Sequence, residues 1–331
     1  MIEWTKDKEK RILFKYRLTL TLRIFRVLLA CFLLYAGYVM ILNILFAHSY
    51  MIKQNIFNSE LALDWTQPNL QETTDIDQKM TPLLTQKASY SVTRTIGTRA
   101  YIAGKVEMNK TLFTPFSHLQ VKWNDQASQA EHYVFSLPEN PKTGKKFSSS
   151  TGDTEAWQVL RKVDSGTVAD LSFSTTRYLS PEALIRMLKP YDLHVLWMPL
   201  YTGELKDFDS GYGESANTLS VPNFGLAGGR GMDRNGSWKD NSLTGLTLKN
   251  SKKSMLTNMK RLIDDKSQTY NETFLGLTYL PKRYHYLQTH GFQVYGAVVT
   301  GPSKELLKLQ KLKIIRQPQI GDVEFWNWEN D

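Results

Sequence analysis

The sequence predicts an α+β protein, with one transmembrane helix followed by a mixed-sheet extracytoplasmic domain built of β-α-β units whose helices lie mainly on one side. Three observations carry that expectation. One uncharged apolar run near the amino terminus is long enough to cross a bilayer; short β-branched and aromatic runs fill the middle of the chain; and in the last half such runs alternate with helical patterns.

The apolar run, Val27–Phe46, reads VLLACFLLYAGYVMILNILF, twenty residues with no charge and one amide, Asn43. At about 1.5 Å per residue it spans roughly the 30 Å hydrocarbon core of a bilayer. Cys31, Tyr35, Tyr38 and Asn43 are too few and too scattered to form the polar face of a soluble core helix. Ala30, Ala36, Gly37 and Asn43 suit helix pairing, although such residues are ordinary in membrane helices. Ahead of the run, eight Lys and Arg stand against three acids, and just after it only Lys53 is basic before Glu60 and Asp64. That asymmetry places the amino terminus in the cytoplasm and everything after about Tyr50 outside it. A cleaved signal peptide competes, with Ala47-His48-Ser49 imitating a cleavage site, but the run exceeds the usual 7–15 or so residues and the basic flank is long.

About 280 residues follow the helix, enough to bury one large core or two modest ones. Eight Trp and 41% hydrophobic residues argue for folded material. The one cysteine, Cys31, lies in the apolar run, so the outer region has no disulfide framework and no thiolate metal site. The net charge of +9 invites a nucleic-acid reading, but more than half of that excess belongs to the first 26 residues and is topological; no nucleic-acid partner is expected.

In chain order, the basic amino-terminal stretch interleaves Ile12, Phe14, Tyr16 and Leu18 with cations, as in a helix lying at the interface before it enters the bilayer. Trp4, Arg11, Phe14 and Tyr16 are the residues there expected to meet a cytoplasmic partner. From Met51 to about Lys87 the composition turns polar, suggesting a juxtamembrane segment that is helical at first (Ile52, Ile56, Leu61) and extended after Pro68. Strands are expected at Tyr90–Ile96, Arg99–Glu107 and Ser117–Trp123, and a loop or boundary at Pro138–Gly152. Thr167–Thr175 reads as a strand; Ser180-Pro181-Glu182 supplies an N-cap, a proline at the first helical position and an acid in the first turn of a helix; Leu193–Tyr201 reads as a buried central strand. After a long Gly-, Ser- and Asn-rich excursion, Thr202–Asn250, helices are expected at Ser251–Lys266 and Pro281–His290. A strand at Gln293–Thr300, a helix opened by Gly301-Pro302, and a terminal strand within Ile314–Trp328 complete a second β-α-β unit.

Chemistry is sparse. The six histidines show no ligand spacing, and neither a G-x-S-x-G elbow nor an S-x-x-K motif is present. FGLAGGRG at Phe224–Gly231 lacks the G-K-[ST] ending of a phosphate loop and reads as a flexible surface loop. One place brings carboxylates and aromatics together: Tyr201, Glu204, Asp207, Asp209, Tyr212 and Glu214, just past the end of a strand, where a ligand, a cation or a glycan substrate would bind if these side chains were not simply solvated. No cofactor, metal site or catalytic residue is expected, and the chain is read as a non-enzyme.

The ordered blocks TQPN, TVADLSFSTTRYLSPEALIRML, DLHVLWMPLYTG, YLQTHGFQVYGAVVTGPSKELLKL and GDVEFW, behind a basic start and one membrane helix, resemble the sigma factor regulator family. These are membrane-anchored anti-sigma factors of Gram-positive bacteria, and the avoidance of thiols agrees with such a host. The resemblance covers roughly residues 15–105 and 155–328. It implies a cell-membrane protein that holds an extracytoplasmic-function sigma factor inactive until its outer domain senses envelope stress. The chain is thus expected to divide into four regions: a basic cytoplasmic arm (1–23), a transmembrane helix (24–47), a juxtamembrane and β-rich segment (48–137) and an α+β sensor-type domain (138–331). The arm carries no His or Cys for a zinc-binding anti-sigma fold, so the implied partner is a sigma factor met by a short helix, or a small companion membrane protein. Two other readings stand beside this one: an anchored protein that binds a cell-wall ligand without sigma control, and a tethered hydrolase using the Glu204–Glu214 loop.

Overall fold

A computed structural model describes residues 6–47, 50–111, 118–124, 133–147, 154–233 and 236–328. The first element, α1 (Lys6–Ala47), is one helix of 42 residues, so the basic stretch and the apolar run form a single rod about 63 Å long. Its side chains are almost all exposed, as suits a helix whose neighbours are lipid. Next comes α2 (Tyr50–Thr66), which is buried from Asn55 through Trp65.

Among the described residues, the strands form two main sheets. The first is an antiparallel meander of β1 (Gln71–Met80), β2 (Thr85–Ile96), β3 (Arg99–Thr111) and β4 (His118–Trp123) in sequence order. β2 and β3 match the expected strands. β1 was not anticipated: QETTDIDQKM has no apolar alternation because this edge strand leaves Asp75, Ile76, Asp77 and Lys79 in solvent.

The second sheet has five strands in the order β13-β5-β12-β6-β9. These are β5 (Thr167–Leu179), β6 (His194–Tyr201), β9 (Gly225–Ala227), β12 (Gln293–Pro302) and β13 (Ile315–Phe325). The hairpins β7 (Gly213–Ser215)–β8 (Thr218–Ser220) and β10 (Arg230–Asp233)–β11 (Gly236–Lys239) flank it. The α+β class holds, and both β-α-β units are present through α4 (Pro181–Leu188) and α7 (Ser303–Lys308). Where a mixed sheet was expected, every pair is antiparallel. The units are split: β12 lies between β5 and β6, and β5 lies between β12 and β13, so the parallel strands of each unit never touch. Ser180 caps α4 as its sequence requires, accepting the Ala183 N–H at 3.2 Å.

Ala169, Leu171, Phe173, Met198, Leu200, Ala297 and Val299 share one core with residues of α2, α4, α7, α3 (Glu155–Lys162) and α5 (Leu248–Asp265), and with Tyr90, Val92, Val106 and Met108 of the first sheet. A second cluster joins Trp197, Tyr201, Tyr295 and Val298 to Tyr133, Phe135, Leu137 and Phe147. The stretch from Tyr133 to Phe147 thus packs against that sheet, held by the buried guanidinium of Arg316, which donates to the Leu137 carbonyl at 3.0 Å. The family-linked Pro68-Asn69 pair turns the chain from α2 into β1. Asn69 adopts φ +55°, which Asn tolerates, and its side chain bonds both the N–H and the carbonyl of Thr95.

Candidate functional site

Helix α2 is tied to both sheets along its buried length. α2 is the expected juxtamembrane helix; Asn55, Asn58, Ser59, Glu60 and Asp64 break its apolar pattern, yet all five are buried and hydrogen-bonded. Asn55 donates to Gln86 at 2.9 Å, and Ser59 lies 2.9 Å from the Tyr90 hydroxyl, tying α2 to β2. Asn58 meets Tyr270 and Arg261, and the Trp197 indole N–H donates to the Asp64 carbonyl at 2.9 Å, tying α2 to the second sheet and its helices.

At the carboxyl end of α2 stands an ionic centre. Arg230, on β10, bonds Glu60 through Nη1 at 2.9 Å and Asp64 through Nε at 2.5 Å, and reaches Glu72 of β1 through Nη2. Lys239 of β11 bonds Asp64 at 2.6 Å. Two cations therefore face three carboxylates in a largely dry site. Burial pushes the Glu60 carboxyl up to about 7; Arg230 opposes this, while Glu72 and Asp64 add to it. Burial works against the Asp64 charge too, yet Lys239 and Arg230 outweigh it and hold that carboxyl below its ordinary range.

The run FGLAGGRG, expected as a flexible surface loop, is instead packed backbone that delivers Arg230. Gly225 lies in β9, where a Cβ would meet the Trp197 ring at 2.1 Å, and a Cβ on Gly228 would meet the Asp240 carbonyl at 1.8 Å. Helix α5 fixes the Arg230 backbone: Ser254 Oγ accepts its N–H at 3.2 Å, and Asn258 donates to its carbonyl at 2.9 Å. Glu60, Asp64, Glu72, Arg230 and Lys239 could not be joined from the sequence because they come from two stretches, 60–72 and 230–239, far apart in the chain. The one available signal was an arginine inside a run of glycines.

The six residues of the expected ligand loop part company. Glu204 is fully buried; its carboxylate accepts the Thr202 N–H and hydroxyl, each at 2.7 Å, and pairs with Arg283 of α6 (Leu280–His290). Tyr201 is buried beside it and donates to the Glu204 carbonyl at 3.2 Å. Asp207, Asp209, Tyr212 and Glu214 are exposed on the following turns and on β7. Among the described residues no three His, Cys, Asp or Glu converge as a metal would need. On α1, Arg11, Phe14 and Tyr16 are exposed, with Arg11 and Phe14 one helical turn apart; Trp4 lies outside the described residues.

Two family models match the chain, "Sigma factor regulator N-terminal" over residues 10–101 and "Sigma factor regulator C-terminal" over residues 160–322. The chain is also 25% identical over 271 residues to a Bacillus subtilis (strain 168) protein named "Probable anti-sigma-M factor YhdL", covering 80% of this chain and 67% of that protein. No solved structure matches it. The first matched block holds the membrane helix, α2 and most of the first sheet; the second holds the split β-α-β sheet and Arg230, which grips α2. Joined through that ionic centre, the two blocks cover more than half of the sequence, and the chain belongs to the sigma factor regulator family.

Proposed function

We propose that this protein is a membrane-anchored regulator that restrains an extracytoplasmic-function sigma factor, with its amino terminus in the cytoplasm and its folded body outside. The observation that carries the reading is α1, which joins a basic, apolar-studded segment to the membrane run without a break, so that one rod carries both partner contact and anchor. Ile12, Leu13, Phe14 and Tyr16 are exposed there among Lys8, Lys10, Arg11, Lys15 and Arg17, as a helix that docks on a protein surface requires. α2 begins at Tyr50, three residues after Ala47 closes the rod, and the body touches the rod where the Pro82 carbonyl accepts from the Tyr38 hydroxyl. Asp207, Asp209, Tyr212 and Glu214 are the residues we assign to an envelope ligand, braced from beneath by the buried Glu204–Arg283 pair. The reading is non-enzymatic.

The experiment is co-purification of the tagged full chain from solubilised membranes. A sigma factor, alone or with a small companion membrane protein, is expected with the wild type and lost from Arg11→Glu/Phe14→Ala, which leaves the outer body untouched. Wild-type protein that brings down neither partner would overturn the assignment.

A further inference from the structure

The β1–β2 turn contacts the membrane helix, and its chemistry suits lipid. The Tyr38 hydroxyl, within the apolar run of α1, donates to the Pro82 carbonyl at 3.0 Å; Leu42, one turn further on, is 8% exposed, and Gly37 and Val39 beside them are half-buried in a helix whose preceding described side chains are exposed. Tyr38 lies eight residues before Phe46, roughly 12 Å along the helix axis. A turn bonded to it therefore reaches into the leaflet that faces the folded body.

The turn's backbone is fitted to that place. The Thr81 N–H donates to the Thr85 carbonyl at 2.9 Å, the Leu84 N–H to the Thr81 carbonyl at 2.9 Å, and the Thr85 N–H to the Thr81 hydroxyl at 3.2 Å. Pro82 has no N–H, and its carbonyl is the one Tyr38 satisfies. The Thr81, Leu84 and Thr85 N–H groups and the Pro82 carbonyl are thus satisfied within the protein, which lowers the cost of entering an apolar medium. At the tip, the Leu83 side chain is 84% exposed. Further up the hairpin, Lys79 and Lys87 are direct cross-strand partners and both are exposed. Like charges opposite one another repel in water, but they suit a plane of phosphates, and they stand about 10 Å from the tip at strand spacing.

We infer that the β1–β2 hairpin is a lipid-binding element: Leu83 enters the acyl region beside Tyr38, and Lys79 and Lys87 sit at anionic headgroups. The first sheet is thereby seated on the bilayer next to α1. The inference rests on α1 crossing the membrane, and its test separates the two. Full-length protein with Cys31→Ser is spin-labelled at Leu83→Cys, at Leu34→Cys on α1, or at Leu246→Cys, an exposed loop position. Each is reconstituted in phosphatidylglycerol-containing vesicles, and collision rates with oxygen and with a water-soluble nickel chelate are compared. Position 83 is expected to behave like 34, favouring oxygen several-fold, while 246 favours nickel; Lys79→Glu/Lys87→Glu moves 83 toward the aqueous pattern. If 83 tracks 246 while 34 stays in lipid, the inference fails and the membrane helix stands. If 34 itself reports water, both fail.

Discussion

Glu60 concentrates the electrostatics of the molecule in one side chain. Its carboxyl shifts from an ordinary 4.5 to about 7, with burial as the leading cause. Between those values the folded state binds more protons than the unfolded chain, so stability falls as pH rises through the window, by about 3 kcal/mol. Thermal unfolding in detergent should therefore show a melting temperature that declines from pH 4.5 to pH 7.5, and Glu60→Gln should flatten that decline. Asp170 is a buried junction held by hydrogen bonds. It is fully buried and accepts bonds from Asn69, Arg94, Tyr133 and the Asp322 N–H, joining the α2–β1 turn, β2, β5 and β13. Asp170→Asn leaves the buried Arg94 guanidinium half-neutralised by the partly exposed Asp322, and should cost about 3–5 kcal/mol in denaturant titration.

At the scale of elements, legibility followed burial pattern. β6 and β12 were readable because strands buried on both faces are nearly continuous apolar runs, β5 because Val168, Leu171 and Phe173 punctuate a stretch rich in strand formers, and α4 because Ser180-Pro181-Glu182 spells its start. α2 was half readable: Ile52, Ile56 and Leu61 suggested a helix, but its buried Asn and Ser side chains mimic a solvated face until their partners at Gln86, Tyr90 and Tyr270 are known. The strand pairing was hidden too, since a split β-α-β unit and an ordinary one have the same local sequence pattern. The ligand loop divided along the same line: Glu204 and Asp207 look alike in sequence, and only the arrival of Arg283 from α6 makes one of them internal. The ionic centre makes α2 the element whose order depends most on a distant residue. Arg230→Met should raise amide hydrogen exchange throughout α2 by an order of magnitude or more, while α4, far from the centre in sequence and capped by its own Ser180, keeps its protection.

Over the whole molecule, both sheets converge on α2. The second sheet and its helices grip α2 through Arg230 and Trp197, the first sheet grips α2 through Gln86 and Tyr90, and α2 begins three residues past Ala47, the end of the rod that carries the membrane run and the basic segment. α2 is thus the element next to α1 in sequence on which both sheets converge. The measurement that tests the central claim most directly is a transcriptome comparison between the wild-type strain and one whose protein lacks residues 2–22, keeping Arg23 and Arg26 to hold orientation. The account predicts induction of one compact regulon sharing a promoter motif. An unchanged transcriptome, with the shortened protein still present in the membrane at wild-type level, would contradict it.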